Sequence, residues 1–300
     1  MNWQSVSKEY LTFLKIERGF SKNTVDGYGR DLKKLSDYLI ACDIHISPFK
    51  IEEVTIQEFI YNIAKEMSPR SQARLISGLK NFFSYLVFEG YRETNPTDLI
   101  EAPKIGRKLP DTLSEEEIDT LIKAVDLSHP QGERNRTIIE TIYSCGLRVS
   151  ELITLKLSDL FFEEGYIRVI GKGNKQRFIP IHSNAQKYLL SYIRDIRVHV
   201  QPKKGFEDTV FLNRNGRGLS RQMIFILLRD LALSVNLTKK IGPHTLRHSF
   251  ATHLLKNGAD LRSIQQMLGH ESIVTTEIYV HLDKNHLKDV VETYHPRRHI

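Results

Sequence analysis

The chain has 300 residues, enough for two ordinary domains that each bury a core. Hydrophobic residues make up 40% and charged residues 26%, which excludes a disordered or fibrous chain, and no run approaches the roughly 18 apolar residues of a membrane-spanning helix. A net charge of +7 and a pI near 9.2 suit a polyanionic partner, although charge alone does not separate a nucleic-acid binder from any other basic protein.

The first hundred residues read as helices. Val6, Tyr10, Phe13 and Leu14 share one face of a helix that Gly19 ends. Ser21 caps a second helix carrying Val25, Tyr28, Leu32, Leu35 and Leu39. Thr55 and Glu58 form a capping box before Phe59, Ile60 and Ile63. Ser68 and Pro69 open a fourth helix with Leu75, Ile76, Leu79, Phe82, Phe83 and Leu86 on its apolar face. Together these predict a four-helix-bundle-like domain over residues 1–94. Residues 95–111, "NPTDLIEAPKIGRKLPD", hold three prolines and a glycine and read as an interdomain linker, or else as a long surface loop. Residues 112–300 read as a mixed α+β domain, so the fold class is mainly α with a small β-sheet. A capping box at Ser114 and Glu117 restarts helix; further helices are expected near 114–126, 134–144, 148–156, 184–199, 220–235, 245–257 and 261–268. "YIRVIGKGNKQRFIPI" alternates and turns at Gly171, Gly173 and Asn174, a β-hairpin. Cys42 and Cys145 lack metal spacing and read as reduced cytosolic thiols; with a polar N-terminus and no signal-like apolar stretch, a cytoplasmic protein without membrane insertion is expected.

Four segments gather chemistry. In "GLRVSEL", Arg148 and Glu151 sit three apart, a spacing that places them on one helical face. They are either a surface ion pair or a guanidinium set among apolar neighbours for a buried anion. "GKGNK" projects Lys172 from the hairpin turn and does not match a Walker A loop. In "GPHTLRHSFATHLL", Pro243 opens a helix on which His244 and Arg247 face the same way. His248 and His253 lack the spacing of a zincin, so they read as packing or hydrogen-bonding groups and no metal is expected. In "LGHESIVTTEIYVHL", Gly269 ends a helix, His270 follows, and Tyr279 lies nine residues beyond. Two arginines, a lysine, two histidines and a tyrosine suit one reaction. Guanidiniums hold phosphate oxygens, a phenol attacks phosphorus, and a Lys or His protonates the departing oxygen. A helix-turn-helix regulator near 245–268 is the non-enzymatic alternative, and it leaves that set unused.

The ordered segments "TIYSCGLRVSELITL", "GKGNKQRFIPI" and "PHTLRHSFATHLLKNGADLRSIQQMLGHESIVTTEIYVH" resemble the motifs of the tyrosine recombinase (phage integrase) family. The resemblance extends to "ERGFSKNTVDGYGRDLKKL" and "SPRSQARLISGLKNFFSYL", and so to nearly the whole chain. Within the family it is greatest to the Xer recombinases, which resolve chromosome dimers, and "GADLRSIQQMLGH" and the linker lie nearest their XerD branch. A phage or transposon integrase is the alternative within the family. The resemblance implies that Arg148 and Arg247 bind the scissile phosphate and Lys172 is the general acid. It implies that His244 assists proton transfer, His270 hydrogen-bonds the phosphate, Glu151 supports the site and Tyr279 is the nucleophile. It also implies a C-shaped clamp on double-stranded DNA, a 3′-phosphotyrosyl intermediate, no cofactor, and a nucleoid-associated location. Partners implied are a homo- or hetero-tetrameric synapse, a second Xer-type recombinase and a DNA translocase of the FtsK type. The tail helix with Leu287, Val290 and Val291 is one that docks on a neighbouring subunit in the family, or packs on its own domain. Lys22, Asn23, Thr24, Arg70, Arg74 and Arg221, at or near helix starts, are candidate DNA contacts or solvated surface groups.

Overall fold

The computed structural model describes residues 2–104, 106, 111–269 and 280–299, apart from the side chains of 172, 280–286, 298 and 299. The chain divides into two compact units, Met1–Lys108 and Leu109–Ile300.

The first unit holds α1 (Trp3–Ile16), α2 (Lys22–Ala41), α3 (Glu53–Ala64) and α4 (Pro69–Phe88). The side chains of Asn2, Ser21 and Ser68 each accept from a first-turn N–H, which is why α1, α2 and α4 begin where they do. Helix α3 departs from the expected start. It begins at Glu53, and Thr55 and Glu58 lie inside it rather than forming a capping box. Ile56 explains the shift: it is buried with Phe59 and Ile60 at helical spacing, so the apolar stripe begins one turn earlier. Leu35, Leu79, Phe82, Phe83 and Leu86 fill the centre, with Tyr10 donating to Asn81 Oδ1 at 2.6 Å. Asp31 on α2 is fully buried and accepts two hydrogen bonds from Arg74 on α4, at 2.8 and 2.5 Å. Asn95, Thr97 and Ile100 belong to this packing: the Asn95 amide donates to Ser84 Oγ, and Thr97 and Ile100 are buried.

The second unit contains α5 (Glu115–Lys123), α6 (Gly132–Cys145), α7 (Val149–Ile153), α8 (Ser183–Ser191), α9 (Arg221–Ser234), α10 (Pro243–Lys256), α11 (Leu261–Leu268) and α12 (Val280–Tyr294). Its antiparallel sheet runs β1 (Leu160–Phe161), β2 (Tyr166–Ile170), β3 (Gln176–Pro180). Helix α6 is buried along nearly its whole length, so the other elements pack around it. The capping box at Ser114 and Glu117 forms as expected. The helix expected over 184–199 is α8 followed by a π-turn at Tyr192–Ile196 and a 3-10 turn at Arg197–His199. The helix expected over 148–156 is only the five residues of α7. Strands β2 and β3 form the hairpin, with Ile167 opposite Ile179 and Val169 opposite Arg177. Leu287, Val290 and Val291 of α12 are buried in this unit's own core. Beyond α12, Arg297 donates to Asp119 at 2.5 Å and lies 3.3 Å from Glu140. No helix among the described residues is long and apolar enough to cross a membrane.

Candidate active site

Arg148 follows the end of α6. Gly146 ends that helix in the left-handed region at φ 58°, turning the chain into α7. Arg148 is then the N-cap of α7 rather than a residue on its face, and Glu151 is the third residue of the helix. The Glu151 carboxylate accepts the Arg148 backbone N–H at 2.9 Å and its Nη1 at 2.9 Å. Glu151 is buried, with a side chain only 1% exposed, so this is not a surface ion pair.

A second guanidinium reaches the same carboxylate from β3. Arg177 Nη1 and Nη2 donate to Glu151 Oε1 and Oε2 at 2.7 and 2.8 Å, and its Nε donates to Met267 O at 2.8 Å. A third comes from α10. Arg247, on a buried stretch of that helix, donates to Gly146 O at 2.7 Å and Leu268 O at 2.5 Å, with Nη1 3.8 Å from Glu151. Arg148 Nη2 also donates to Gly269 O at 3.1 Å. Three arginines from three elements thus meet on one carboxylate and on the carbonyls that close α6 and α11.

Burial would raise the Glu151 pKa, but the hydrogen bonds and charge of Arg177, then those of Arg148, outweigh it and hold the carboxyl below its usual range. Burial and the neighbouring Arg148 charge bring Arg247 down to about 10, with Glu151 opposing. Among the described residues no second carboxylate pairs with these guanidiniums, so the cluster keeps an excess of positive charge. Partly desolvated guanidiniums with that excess favour a phosphate-like anion, which accepts paired N–H donors.

The other expected residues fall as follows. His244 is exposed in the first turn of α10, one turn before Arg247. Lys172 lies in the turn Lys172–Asn174 between β2 and β3, and its side chain is outside the description. A Cβ on the preceding Gly171 would lie 3.7 Å from Glu151 Oε1, so the hairpin turn begins beside the cluster. His270 and Tyr279 lie outside the described residues. His253 is buried, with Tyr143 Oη 2.8 Å from its Nδ1, as a packing and hydrogen-bonding group should be. Among the described residues no cluster of metal-ligating side chains forms. Lys22, Asn23 and Thr24 open α2, and Thr24 N–H donates to the Ser21 cap; Lys22, Asn23, Thr24 and Arg70 are exposed. Arg74 is engaged with Asp31 while its side chain stays 53% exposed. Arg221 is exposed at the first position of α9.

Sequence reasoning missed Arg177. A signal was present: cross-strand pairing with Val169 puts Arg177 on the same sheet face as Ile167 and Ile179, both fully buried. A basic residue on the core-facing parity of a hairpin requires an acidic partner inside.

Residues 111–286 match the phage integrase family, and residues 8–90 match the N-terminal SAM-like domain of phage integrases. A tyrosine recombinase XerD from Staphylococcus haemolyticus is 43% identical over 295 residues, 98% of this chain and 99% of the relative. The XerD of Staphylococcus aureus strain N315 is 42% identical over 296 residues, with the same coverage. Among solved structures, the post-cleavage complex of the XerH site-specific recombinase with a palindromic difH substrate superposes with a TM-score of 0.72 at 26% identity, covering 95% of this chain and 84% of that one. A lambda integrase fragment bound to a core site shares the fold, with a TM-score of 0.71 at 22% identity over 93% of this chain and 100% of that one. The match runs through both units and through every element that carries the arginine cluster, and the chain belongs to the tyrosine recombinase (phage integrase) family.

Proposed function

We propose that this chain cleaves and rejoins double-stranded DNA at a specific site, with Tyr279 as nucleophile, and that it resolves chromosome dimers as Xer-type recombinases do. The observation that carries the reading is the convergence of Arg148 and Arg247 on the buried Glu151 carboxylate, with an excess of positive charge left for a phosphate. In the proposed step Arg148 and Arg247 hold the non-bridging oxygens of the scissile phosphate and stabilise the pentacoordinate transition state. The Tyr279 oxygen bonds to phosphorus as the bond to the 5′-oxygen breaks. His244 takes the phenolic proton, and Lys172 gives one to the leaving 5′-oxygen. His270 hydrogen-bonds the phosphate. The 3′-phosphotyrosyl ester conserves the bond energy, so a 5′-hydroxyl of the partner strand reseals the DNA without a nucleotide cofactor.

Residues 1–94 are proposed as the DNA-binding domain, residues 95–111 as a linker whose first residues pack on that domain, and residues 112–300 as the catalytic domain. Lys22, Asn23, Thr24, Arg70, Arg74 and Arg221 are proposed DNA contacts. A tetrameric synapse, a second Xer-type recombinase, control by a translocase of the FtsK type and a place on the cytoplasmic nucleoid belong to the same reading. It is supported by near full-length identity to proteins named XerD. The test is to trap the covalent protein–DNA adduct in the protein's own cells and sequence its DNA. A single chromosomal locus near the replication terminus is expected, with no adduct from Tyr279→Phe. Adduct from the Phe variant overturns the nucleophile; mobile-element junctions overturn dimer resolution in favour of integration.

A further inference from the structure

Arg177 has no task in the step just described, yet it makes the most extensive contacts in the cluster. Its two terminal nitrogens close a two-pronged bond on Glu151 and its Nε is spent on Met267 O. Those bonds face protein acceptors, so Arg177 is not turned toward a substrate phosphate. Its stem passes Gly269, where a Cβ would come within 3.1 Å of Cδ and 3.2 Å of Nε. Gly269 is therefore also the residue that lets Arg177 reach Glu151. On the other side of the carboxylate, Arg148 depends on Glu151 for both its backbone N–H and its Nη1. The connection runs from β3, through Arg177 and Glu151, to Arg148. The β3 register fixes it, since a slip of one residue would turn Arg177 to the opposite sheet face.

We propose that Arg177 is a positioning residue for DNA cleavage, fixing Glu151 in the place from which that carboxylate orients Arg148 and Arg247 toward the scissile phosphate. The inference rests on the recombinase reading above. The groups facing Glu151 among the described residues are Arg148 at the start of α7, Arg177 from β3 and Arg247 from α10. Burial pushes the Glu151 carboxyl toward protonation, and Arg177 is the largest influence against it. Removing Arg177 raises the pKa of Glu151. As pH falls through that raised value the carboxylate gains a proton and releases its hold on Arg148, so cleavage slows in acid.

The experiment follows single-turnover formation of the covalent adduct by the full-length protein on nicked DNA of the trapped sequence, from about pH 5.5 to about pH 8.5. Arg177→Met is expected to bind this DNA within about threefold of wild type and to form adduct about tenfold to a hundredfold more slowly at neutral pH. Its acid limb is expected at higher pH than that of wild type. Arg177→Met combined with Glu151→Gln, which leaves no carboxyl to titrate, is expected to lose that displacement. Arg177→Lys keeps the charge without the fork; an intermediate rate and a smaller displacement are expected, and this variant carries the test if the Met variant does not fold. A Met variant within about twofold of wild type overturns the inference, as does a loss that is uniform in pH and equal for Met and Lys. No adduct from wild type overturns the recombinase reading itself. Adduct from wild type that the Arg177 variants leave unchanged overturns only the role of Arg177.

Discussion

Gly146→Ala tests how tightly the arginine cluster is built onto the core. Two costs can be read from the structure. The residue sits at φ 58°, where a Cβ costs about 1–2 kcal/mol. That Cβ would also fall 2.5 and 2.6 Å from Cδ1 and Cε1 of Phe250, and 3.2 Å from a Leu268 methyl. Phe250 is fully buried and cannot swing away, so the overlap adds an overpacking cost of about 1–3 kcal/mol. The total is about 2–5 kcal/mol for the second unit. Urea unfolding measures it. Trp3, the chain's single tryptophan, lies in the first unit, so its fluorescence follows that unit while far-UV circular dichroism also registers the second. In a Phe250→Leu background the overlap is relieved, and Gly146→Ala should then cost only the backbone share of about 1–2 kcal/mol. Because Gly146 O receives a hydrogen bond from Arg247, adduct formation should slow even where the variant stays folded. A loss under about 0.5 kcal/mol, or an equal loss in both backgrounds, refutes the reasoning.

Two further outcomes are expected. Arg148→Ala and Arg247→Ala should keep DNA binding and lose about a hundredfold to a thousandfold in cleavage, since the charge they stabilise develops in the transition state. Equal losses in binding and cleavage, measured by gel shift and adduct yield, would make them binding residues. Arg74→Ala should destabilise the first unit by about 1–3 kcal/mol at neutral pH, below the full cost of a broken buried pair because the Arg74 side chain is 53% exposed. Burial holds the Asp31 pKa above its usual value even against Arg74, Lys34 and Arg30, so the folded state binds that proton more tightly than the unfolded chain. Without Arg74 the difference widens. The penalty should therefore grow as pH rises from the folded value of the wild type through the higher folded value of the variant, and shrink as pH falls back through that window. A penalty from Trp3-monitored urea unfolding that is the same at about pH 5 and about pH 8 contradicts this.

Helix starts were legible where a side chain caps them. Ser21, Ser68 and Ser114 each make the local hydrogen bond that their position suggests. Thr55 and Glu58 show where local chemistry loses: burial of Ile56 outweighs a capping bond between a half-buried Thr55 and an exposed Glu58. The hairpin followed from alternation and from Gly173 and Asn174, which adopt the left-handed conformations its turn needs. Of the site, Arg148, Glu151 and Arg247 were visible as a set through motif order. Their convergence was not, because it depends on where α6 and α11 end and on a third arginine from β3. Arg177 was hidden by its neighbours: in "GNKQRF" it reads as one more cation of a surface turn, and only the strand register separates it from Lys175. Arg74 shows the converse, a basic residue in the second turn of α4 that reads as a surface cation and yet pairs with the buried Asp31 while its side chain stays 53% exposed.

Three guanidiniums around one carboxylate have a consequence for the protein before it meets DNA. Like charges held this close repel, and folding must supply the work of gathering them. Any anion that enters the cluster returns part of that work to the folded state, while the unfolded chain offers it no comparable seat. The thermal midpoint of the second unit is thereby linked to the concentration of sulfate or phosphate around it. Buffer choice thus sets the baseline from which every variant in this site is compared.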